Sequence, residues 1–163
     1  AHTLDANRAV EQSLNDTIVA IHEKIMLSSF ASFRFSLKYG TATKQPLTFE
    51  IRIQDDGSHS VNRSRVFIYD MALLFDPLAS QNHPGFLVHD GIAEVDQDTL
   101  TRCLNFLHAQ SDSNDDFQYI MTLNRDRIES EEKRHEIVLD IEQAKCASFT
   151  KANRFLKCQY QET

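Results

Sequence analysis

The chain has 163 residues, of which 41% are hydrophobic and 25% are charged, the balance of an ordinary globular protein with one sizeable core. No apolar run approaches the roughly 18 residues of a membrane span, and the three scattered cysteines exclude a disulfide framework or a zinc cluster and favour a reducing, cytoplasmic location. The net charge of −7 argues against this chain being, on its own, the main nucleic-acid-binding surface.

The first predicted element is a helix over residues 3–28. Four apolar residues follow one of its faces at the spacing of a coiled-coil seam, namely Leu14, Ile18, Ile21 and Ile25. Glu11 interrupts the same face, so the pattern fits either the end of a longer coiled coil or a helix packed into the core. An exposed seam would pair two copies of the chain. We therefore divide the sequence into a helix over residues 1–29, as the end of a coiled coil, and a lobe over residues 30–163.

Two strands follow the helix, because the apolar period changes to two. Apolar and polar residues alternate over residues 33–39 and again over residues 47–53. The short turn region between them, residues 40–46, predicts an antiparallel pair.

A polar loop is expected next, over residues 57–64. It precedes the stretch VFIYDMALLFDPL, which predicts a helix that is apolar on most sides, buried, and ended by Pro77. After a break at Pro84 and Gly85, Phe86 to His89 predict a short, buried apolar strand.

A second α/β segment completes the better-defined part of the chain. Asp96 is a candidate N-cap for a helix over residues 97–110, and residues 117–123 predict another apolar strand, which ends at Asn124. Strand, helix and strand form a βαβ unit, which implies a parallel pair. The expected fold class is α/β, with an N-terminal helical stub, an antiparallel strand pair and a short parallel sheet with flanking helices.

The C-terminal quarter has weaker patterns. Residues 127–136 are highly charged and predict a helix, and residues 136–141 predict a further strand. The tail over residues 143–163 fits either a final strand pair or a short helix.

Asp90 is the strongest candidate for a ligand site, because ligands gather at the carboxyl ends of strands in open α/β sheets. An acid after an apolar strand has the chemistry of a Walker B carboxylate, which fixes a water on Mg²⁺; an aspartate that caps a turn is the alternative. The adjacent His89 points to the opposite face of a strand, so the two cannot easily bind one metal ion.

The segment FLVHDGIAEVDQDTL, followed by QYIMTLNRD, is similar to the C-terminal lobe of an ABC-type ATPase head of the SMC, RecN and RecF kind. More narrowly, it resembles a bacterial domain family of unknown function at the C-terminus of RecN-like ATPases whose head is split by a coiled coil. The resemblance covers about residues 65–125; the first helix and the strand pair match only in order and length. It implies that the chain is half of an ATPase head.

The resemblance assigns roles to individual residues. Asp90 corresponds to the Walker B acid on the magnesium side, and Asp96 to the D-loop aspartate that reaches across a dimer interface. Thr122 and Asn124 fall at the switch loop, and Asn62 lies in VNRSR, near the signature motif. These five residues are the expected nucleotide-binding set.

Three departures from the ATPase pattern bear on catalysis. Gly91 stands where these ATPases carry the glutamate that activates water, and Asn124 replaces the switch histidine. VNRSR also lacks the signature glycines. Glu94 is the nearest acid that would replace the missing glutamate, with a surface acid as the alternative. Slow hydrolysis and nucleotide binding without turnover both stay open.

The sequence contains no G-x-x-x-x-G-K-[ST] motif, so the phosphate-binding loop is expected in an N-terminal lobe of the same protein. We expect a C-terminal half-head that binds Mg²⁺ and ATP only in the complete protein, with none bound by the isolated chain. Heads or first helices would pair in a homodimer. DNA repair, DNA maintenance or phage defence enters through the resemblance alone.

Two alternatives belong to other functional classes. The lobe would be a nucleotide-independent interaction scaffold tethered by a coiled coil if the altered residues at positions 91 and 124 mean lost catalysis. It would be a magnesium-dependent nuclease if Asp90, Asp96 and Asp98 bind metal together.

Overall fold

The structure, a computed structural model, describes residues 2–37, 47–53, 57–91, 94–113, 116–128, 135–150 and 152–154. Its elements in chain order are α1 (His2–Met26), β1 (Ala31–Leu37), β2 (Leu47–Ile53), α2 (His59–Phe75), β3 (Phe86–His89), α3 (Gln97–Ser111), β4 (Gln118–Met121) and α4 (Ile141–Ala144). Short 3₁₀ turns lie at Ser80–Asn82 and Arg125–Arg127. The strands form an antiparallel pair, β1–β2, and a parallel pair, β3–β4, so the predicted α/β class is confirmed.

The seam of α1 faces the interior of the protein. Its four apolar residues, Leu14, Ile18, Ile21 and Ile25, are at most 5% exposed. They belong to one core cluster with buried residues of α2 and α3 and with Phe33 of β1. The alternative of a helix packed into the core is therefore confirmed and an exposed seam is wrong, since the fold itself buries these residues; pairing of two copies stays a prediction. Continuation of α1 into a longer coiled coil stays a prediction.

Polar residues of α1 occupy one edge of the antiparallel sheet. Asn15 Oδ1 accepts a hydrogen bond from the backbone N–H of Phe33 at 2.9 Å, and Glu11 Oε1 accepts one from Phe35 at 3.2 Å. An unpaired strand edge exposes such N–H groups to other chains. Glu11, which interrupts the apolar seam in the sequence, therefore helps to block the β1 edge.

Helix α2 begins earlier than the sequence predicts. Ser58 is its N-cap and accepts a hydrogen bond from Val61 N–H at 3.1 Å. The expected polar loop over residues 57–64 is thus wrong, because most of these residues are helical. Ser64, for example, is buried and donates to the Ser60 carbonyl at 3.2 Å. The predicted end before Pro77 is confirmed, and the helix buries one face, whereas Val66 on another face is 51% exposed.

Asp76, just after α2, is a fully buried acid that joins α1 to α2. Ser13 and Thr17 donate hydroxyl hydrogen bonds to its Oδ2 at 2.6 and 3.0 Å. The backbone N–H groups of Leu78 and Ala79 donate to Oδ1 at 3.0 and 2.7 Å. Burial opposes ionisation, but these hydrogen bonds hold the pKa of the carboxyl below its ordinary value.

The β3–α3–β4 unit matches the predicted parallel arrangement. Phe86 pairs with Gln118, and His89 pairs with Met121. Helix α3 buries Leu100, Leu104 and Leu107 on one face, as predicted. Strand β4 is shorter than expected and ends at Met121.

One face of the parallel pair is open, which contradicts the expectation of a buried strand. Phe86, Val88 and Ile120 are 44%, 54% and 45% exposed, whereas Leu87 and Tyr119, on the other face, pack against the core. Parallel sheets are normally covered on both faces. We therefore name the side chains of Phe86, Val88 and Ile120 the open face.

Residues 136–141 do not form the predicted strand, although their alternating apolar side chains do pack against the core. Ile137, Leu139 and Ile141 pack against the second core cluster, to which α3 contributes. Their partner is therefore a helix, not a strand. The Asn105 amide of α3 donates to the Glu136 carbonyl and accepts from Val138 N–H, both at 2.8 Å, and so replaces a strand partner.

The remaining C-terminal predictions are only partly covered. Most of the predicted helix over residues 127–136 lies outside the described residues, as does the end of the tail from residue 155. Within residues 143–150, α4 ends at Ala144 and no strand follows. Among the described helices, none has the length and apolar character to cross a membrane.

Candidate functional site

The carboxyl ends of β3 and β4 bring Asp90 and Thr122 together. Thr122 N–H donates to the His89 carbonyl at 3.1 Å, just past the last paired residues of the two strands. The Thr122 hydroxyl donates to Asp90 Oδ1 and accepts from Gly91 N–H at 3.3 Å. Two residues predicted from separate strands thus lie in direct contact, and both are exposed.

Gly91 adopts a conformation that favours glycine. Its φ of 81° lies in the left-handed region. A Cβ atom at this position would lie 3.7 Å from Oε1 of Glu94, and Glu94 N–H donates to the Gly91 carbonyl at 3.1 Å. The Glu94 carboxylate therefore lies beside position 91.

The first turns of α2 contact the loop that carries Glu94. Arg63 Nη2 lies 2.7 Å from Glu94 Oε2, and Ser60 Oγ accepts from Asp96 N–H at 3.2 Å. Asn62 is exposed on the same helix. The start of α2, which includes VNRSR, therefore contacts Glu94 and Asp96, although the sequence did not identify Arg63 or Ser60 as the contacting residues.

Asp96 caps α3, as predicted. Its Oδ1 accepts from Thr99 N–H at 2.9 Å. Partial burial opposes ionisation, but the hydrogen bonds from Thr99 and the charge of Arg102 hold the pKa of Asp96 below its ordinary value. The carboxylate is still exposed, so a D-loop role across an interface stays a prediction.

Asn124 follows β4 and precedes the 3₁₀ turn Arg125–Arg127. It is exposed, and its carbonyl accepts from Arg127 N–H at 3.0 Å. Among the contacts of the described residues, none joins the Asn124 side chain to Asp90. The structure therefore groups Asp90 with Thr122 but does not add Asn124 to that contact.

His89 has partners that the sequence did not reveal. Its Nε2 lies 2.7 Å from Asp70 Oδ2, and its Nδ1 lies 2.7 Å from the Tyr119 hydroxyl. Burial raises the pKa of Tyr119 well above the usual range, so the phenol stays protonated. His89 therefore points away from the Asp90 side chain, as strand geometry predicts, and links α2, β3 and β4 beneath the site. Asp70 and Tyr119 lie 19 and 30 residues from His89 in the sequence, so no local pattern could identify them.

A small depression opens between α2 and the end of β3. Its lining residues are Arg63, Val66, Phe67, His89, Asp90 and Gly91. The cavity volume of about 30 Å³ has room for about one water molecule and not for a nucleotide. A nucleotide at Asp90 would therefore need most of its contacts from elsewhere.

Magnesium was expected in one of two arrangements, either at Asp90 with nucleotide phosphates or bound jointly by Asp90, Asp96 and Asp98. The oxygen atoms at this site suit only the first arrangement. Mg²⁺ usually binds one or two carboxylates and keeps waters or phosphate oxygens as its other ligands, and Asp90 with the neighbouring Thr122 hydroxyl suits that mode. In the described part of the chain, no three acids, histidines or cysteines form a group that could hold a metal ion. Asp90, Asp96 and Asp98 therefore do not form the joint metal site that the nuclease alternative requires.

A family model described as an uncharacterised protein conserved in bacteria (DUF2326) matches residues 21–160. The match includes both strand pairs and every residue of the candidate site. A comparison with curated proteins finds no match.

Proposed function

This chain belongs to the DUF2326 family of uncharacterised bacterial proteins, and we propose that it is the C-terminal half of an ABC-type ATPase head of the SMC and RecN kind. A second lobe, which carries the P-loop, would complete the head. The chain would supply the Walker B carboxylate and the loops that follow it.

The open face is the observation that carries this proposal. Phe86, Val88 and Ile120 expose apolar side chains on one side of a two-stranded parallel sheet, a type of sheet that normally has both faces covered. Side chains two residues apart on a strand share a face, so Asp90 and Thr122 continue the side on which Val88 and Ile120 lie. A lobe that covered the open face would meet the Asp90 carboxylate.

Asp90 has the central role in the proposed chemistry. With ATP bound by the P-loop lobe, Asp90 would hold magnesium through a bound water, and the Thr122 hydroxyl would orient the carboxylate. The magnesium ion would neutralise charge on the phosphates. Glu94 is the proposed water-activating acid, because its carboxylate lies beside Gly91.

The other predicted residues take supporting roles in this proposal. Asp96 caps the start of α3 and Asn62 lies in the first turn of α2, where a second head would be contacted. Asn124 would contact nucleotide only after the lobes meet. Action on DNA in repair, maintenance or phage defence follows from the resemblance, and the net charge of −7 assigns the DNA contact to other parts of the complete protein.

The test is magnesium-dependent ATP hydrolysis by the full-length protein that contains this domain. Asp90→Asn should lower turnover by at least ~10²-fold, because Asn cannot supply the charge that fixes the metal-bound water. Asp112→Asn is the matched control. Asp112 is an exposed acid at the C-terminal end of α3, whereas Asp96 caps the N-terminal end. The turnover of this control variant should equal that of the unaltered protein.

Two substitutions of Asp90, tested for stability in the isolated chain and for turnover in the full-length protein, separate function from stability. Asp90→Asn should leave the free energy of unfolding within ~0.5 kcal/mol, as measured by denaturation. A structural role predicts instead that Asp90→Ala costs ~0.5–2 kcal/mol while turnover is retained, and this result would contradict the proposal.

A nucleotide-independent scaffold is the second candidate, favoured by Gly91 and by the absence of glycine from VNRSR. It predicts that the full-length protein neither binds nor hydrolyses ATP, and that Asp90→Asn changes nothing.

A further inference from the structure

Arg63 forms an ion pair with Glu94 and lines the same depression as Asp90, the acid proposed to hold magnesium. Its Nη2 is 2.7 Å from Glu94 Oε2, and the depression that it lines also includes Asp90 and Gly91. The two side chains are 45% and 49% exposed, so solvent screening leaves the pair little effect on stability. The effect that matters here is on geometry, because the Nη2–Oε2 contact holds one oxygen of the Glu94 carboxylate next to α2.

Position 91 itself is poorly suited to an acid. Gly91 has a φ of 81°, a conformation that is strained for residues with a Cβ atom. Glu94 Oε1 lies 3.7 Å from where that Cβ would be. The carboxylate of Glu94 therefore reaches this position from three residues further along the chain.

The loop that carries Glu94 is bound to α2 at two points. Arg63 binds the Glu94 carboxylate, and Ser60 Oγ accepts from Asp96 N–H at 3.2 Å. Residues three apart on a helix share a face, so Ser60 and Arg63 present one surface to the loop. The backbone bond from Glu94 to Gly91 closes the loop at 3.1 Å.

We infer that Arg63 is a positioning residue that directs Glu94 toward the attacking water, and that the pair replaces an acid at position 91. This inference rests on the proposed function. The water oxygen bonds to the γ-phosphorus of ATP, the bond from that phosphorus to the β–γ bridging oxygen breaks, ADP leaves, and the water proton passes to Glu94. Arg63 touches none of the reacting atoms.

Steady-state ATP hydrolysis by the full-length protein tests the inference. Glu94→Gln should lower kcat by ~10²- to 10⁴-fold, because the amide cannot accept the proton. Arg63→Gln should lower kcat by ~10- to 10²-fold, as expected for a misplaced group, and Arg63→Lys should restore part of it. KM should be unchanged in all three, because the P-loop lobe supplies most nucleotide contacts.

The control is Arg52→Gln, which removes a more exposed ion pair, at 2.8 Å, with Glu50 on the same strand, β2. It should leave kcat unchanged. Adding Arg63→Gln to Glu94→Gln should cause no further loss, because the positioned group is already absent. A merely structural role for Arg63 predicts the same loss in both backgrounds.

The outcomes separate this inference from the proposed function. If Asp90→Asn abolishes turnover but Arg63→Gln behaves like Arg52→Gln, the positioning role is wrong and the half-head proposal survives. If the unaltered protein shows no turnover, both the positioning role and the proposed catalysis are wrong.

Discussion

Asp76 joins two helices through a single carboxylate. One oxygen accepts from the hydroxyls of Ser13 and Thr17 on α1, and the other accepts from two backbone N–H groups that follow α2. The residue is fully buried. Replacement by alanine would leave four partly buried donors without this acceptor, which should lower the stability of the fold substantially.

We predict that Asp76→Ala lowers the free energy of unfolding by on the order of 3 kcal/mol, because hydrogen bonds to a charged acceptor are lost. Chemical denaturation of the isolated chain measures the change. Asp16→Ala is the control, since Asp16 is an exposed acid on α1 and should change the stability by less than ~0.5 kcal/mol. Equal effects from the two substitutions would contradict this assignment.

The same carboxyl makes stability dependent on acid. The pKa of Asp76 is lowered in the fold from its ordinary value of 3.8, so the unfolded chain binds this proton first as pH falls. The stabilisation is complete above that ordinary value and is lost as pH falls through the lower, folded pKa. In Asp76→Asn this part of the acid-dependent loss should disappear.

Local patterns predicted some site residues and not others. Asp90 and Asp96 were predictable because each follows from its position at the end of a strand or the start of a helix. Thr122 was expected only from the resemblance, because the predicted strand extended past it to Asn124. Arg63 and the partners of His89 were not predictable, since their contacts join residues far apart in the sequence. These contacts depend on how α2 packs beside β3, which no short pattern encodes.

At the scale of elements, periodicity predicted burial more reliably than it predicted partners. The apolar seam of α1 and the alternating residues of β1 and β2 gave the correct element types. Residues 137–141 also alternate, but they pack on α3, because period two requires only one apolar surface to pack against. The start of α2 was missed because a run of serines and polar residues resembles a loop, whereas Ser58 caps the helix.

We predict that Asn105 maintains the extended segment next to α3. Asn105→Ala removes the acceptor of Val138 N–H. Hydrogen exchange of the Val138 amide should therefore accelerate by about 10-fold, which corresponds to the free energy of one hydrogen bond of ordinary strength. Asn105→Asp retains an acceptor and should preserve that protection. Equal exchange in both variants would show that packing alone holds the segment.

At the scale of the whole molecule, the two strand pairs differ in how they are covered. The edge of β1 is occupied by side chains of α1, whereas the open face of β3 and β4 retains apolar side chains in solvent. This asymmetry is the pattern expected of a protein that blocks one contact surface and keeps another for a partner.

Val88→Lys tests the open face. In the isolated chain, the substitution should change the free energy of unfolding by no more than ~0.5 kcal/mol, because Val88 is 54% exposed. It should weaken association with a separately expressed P-loop lobe, because burial of an unpaired charge is costly. Phe30→Lys is the control, since Phe30 is 69% exposed and lies before β1. Unchanged association in Val88→Lys would exclude the open face as the interface.

The left-handed glycine at position 91 also restricts the mutational routes open to this sequence. A single change to glutamate would introduce a strained backbone and place a second carboxylate beside Glu94, where two like charges repel. A protein with this one change would be less stable than the present one unless residue 94 changed too. Glycine at position 91 and glutamate at position 94 therefore favour each other, and single substitutions would seldom place an acid at position 91.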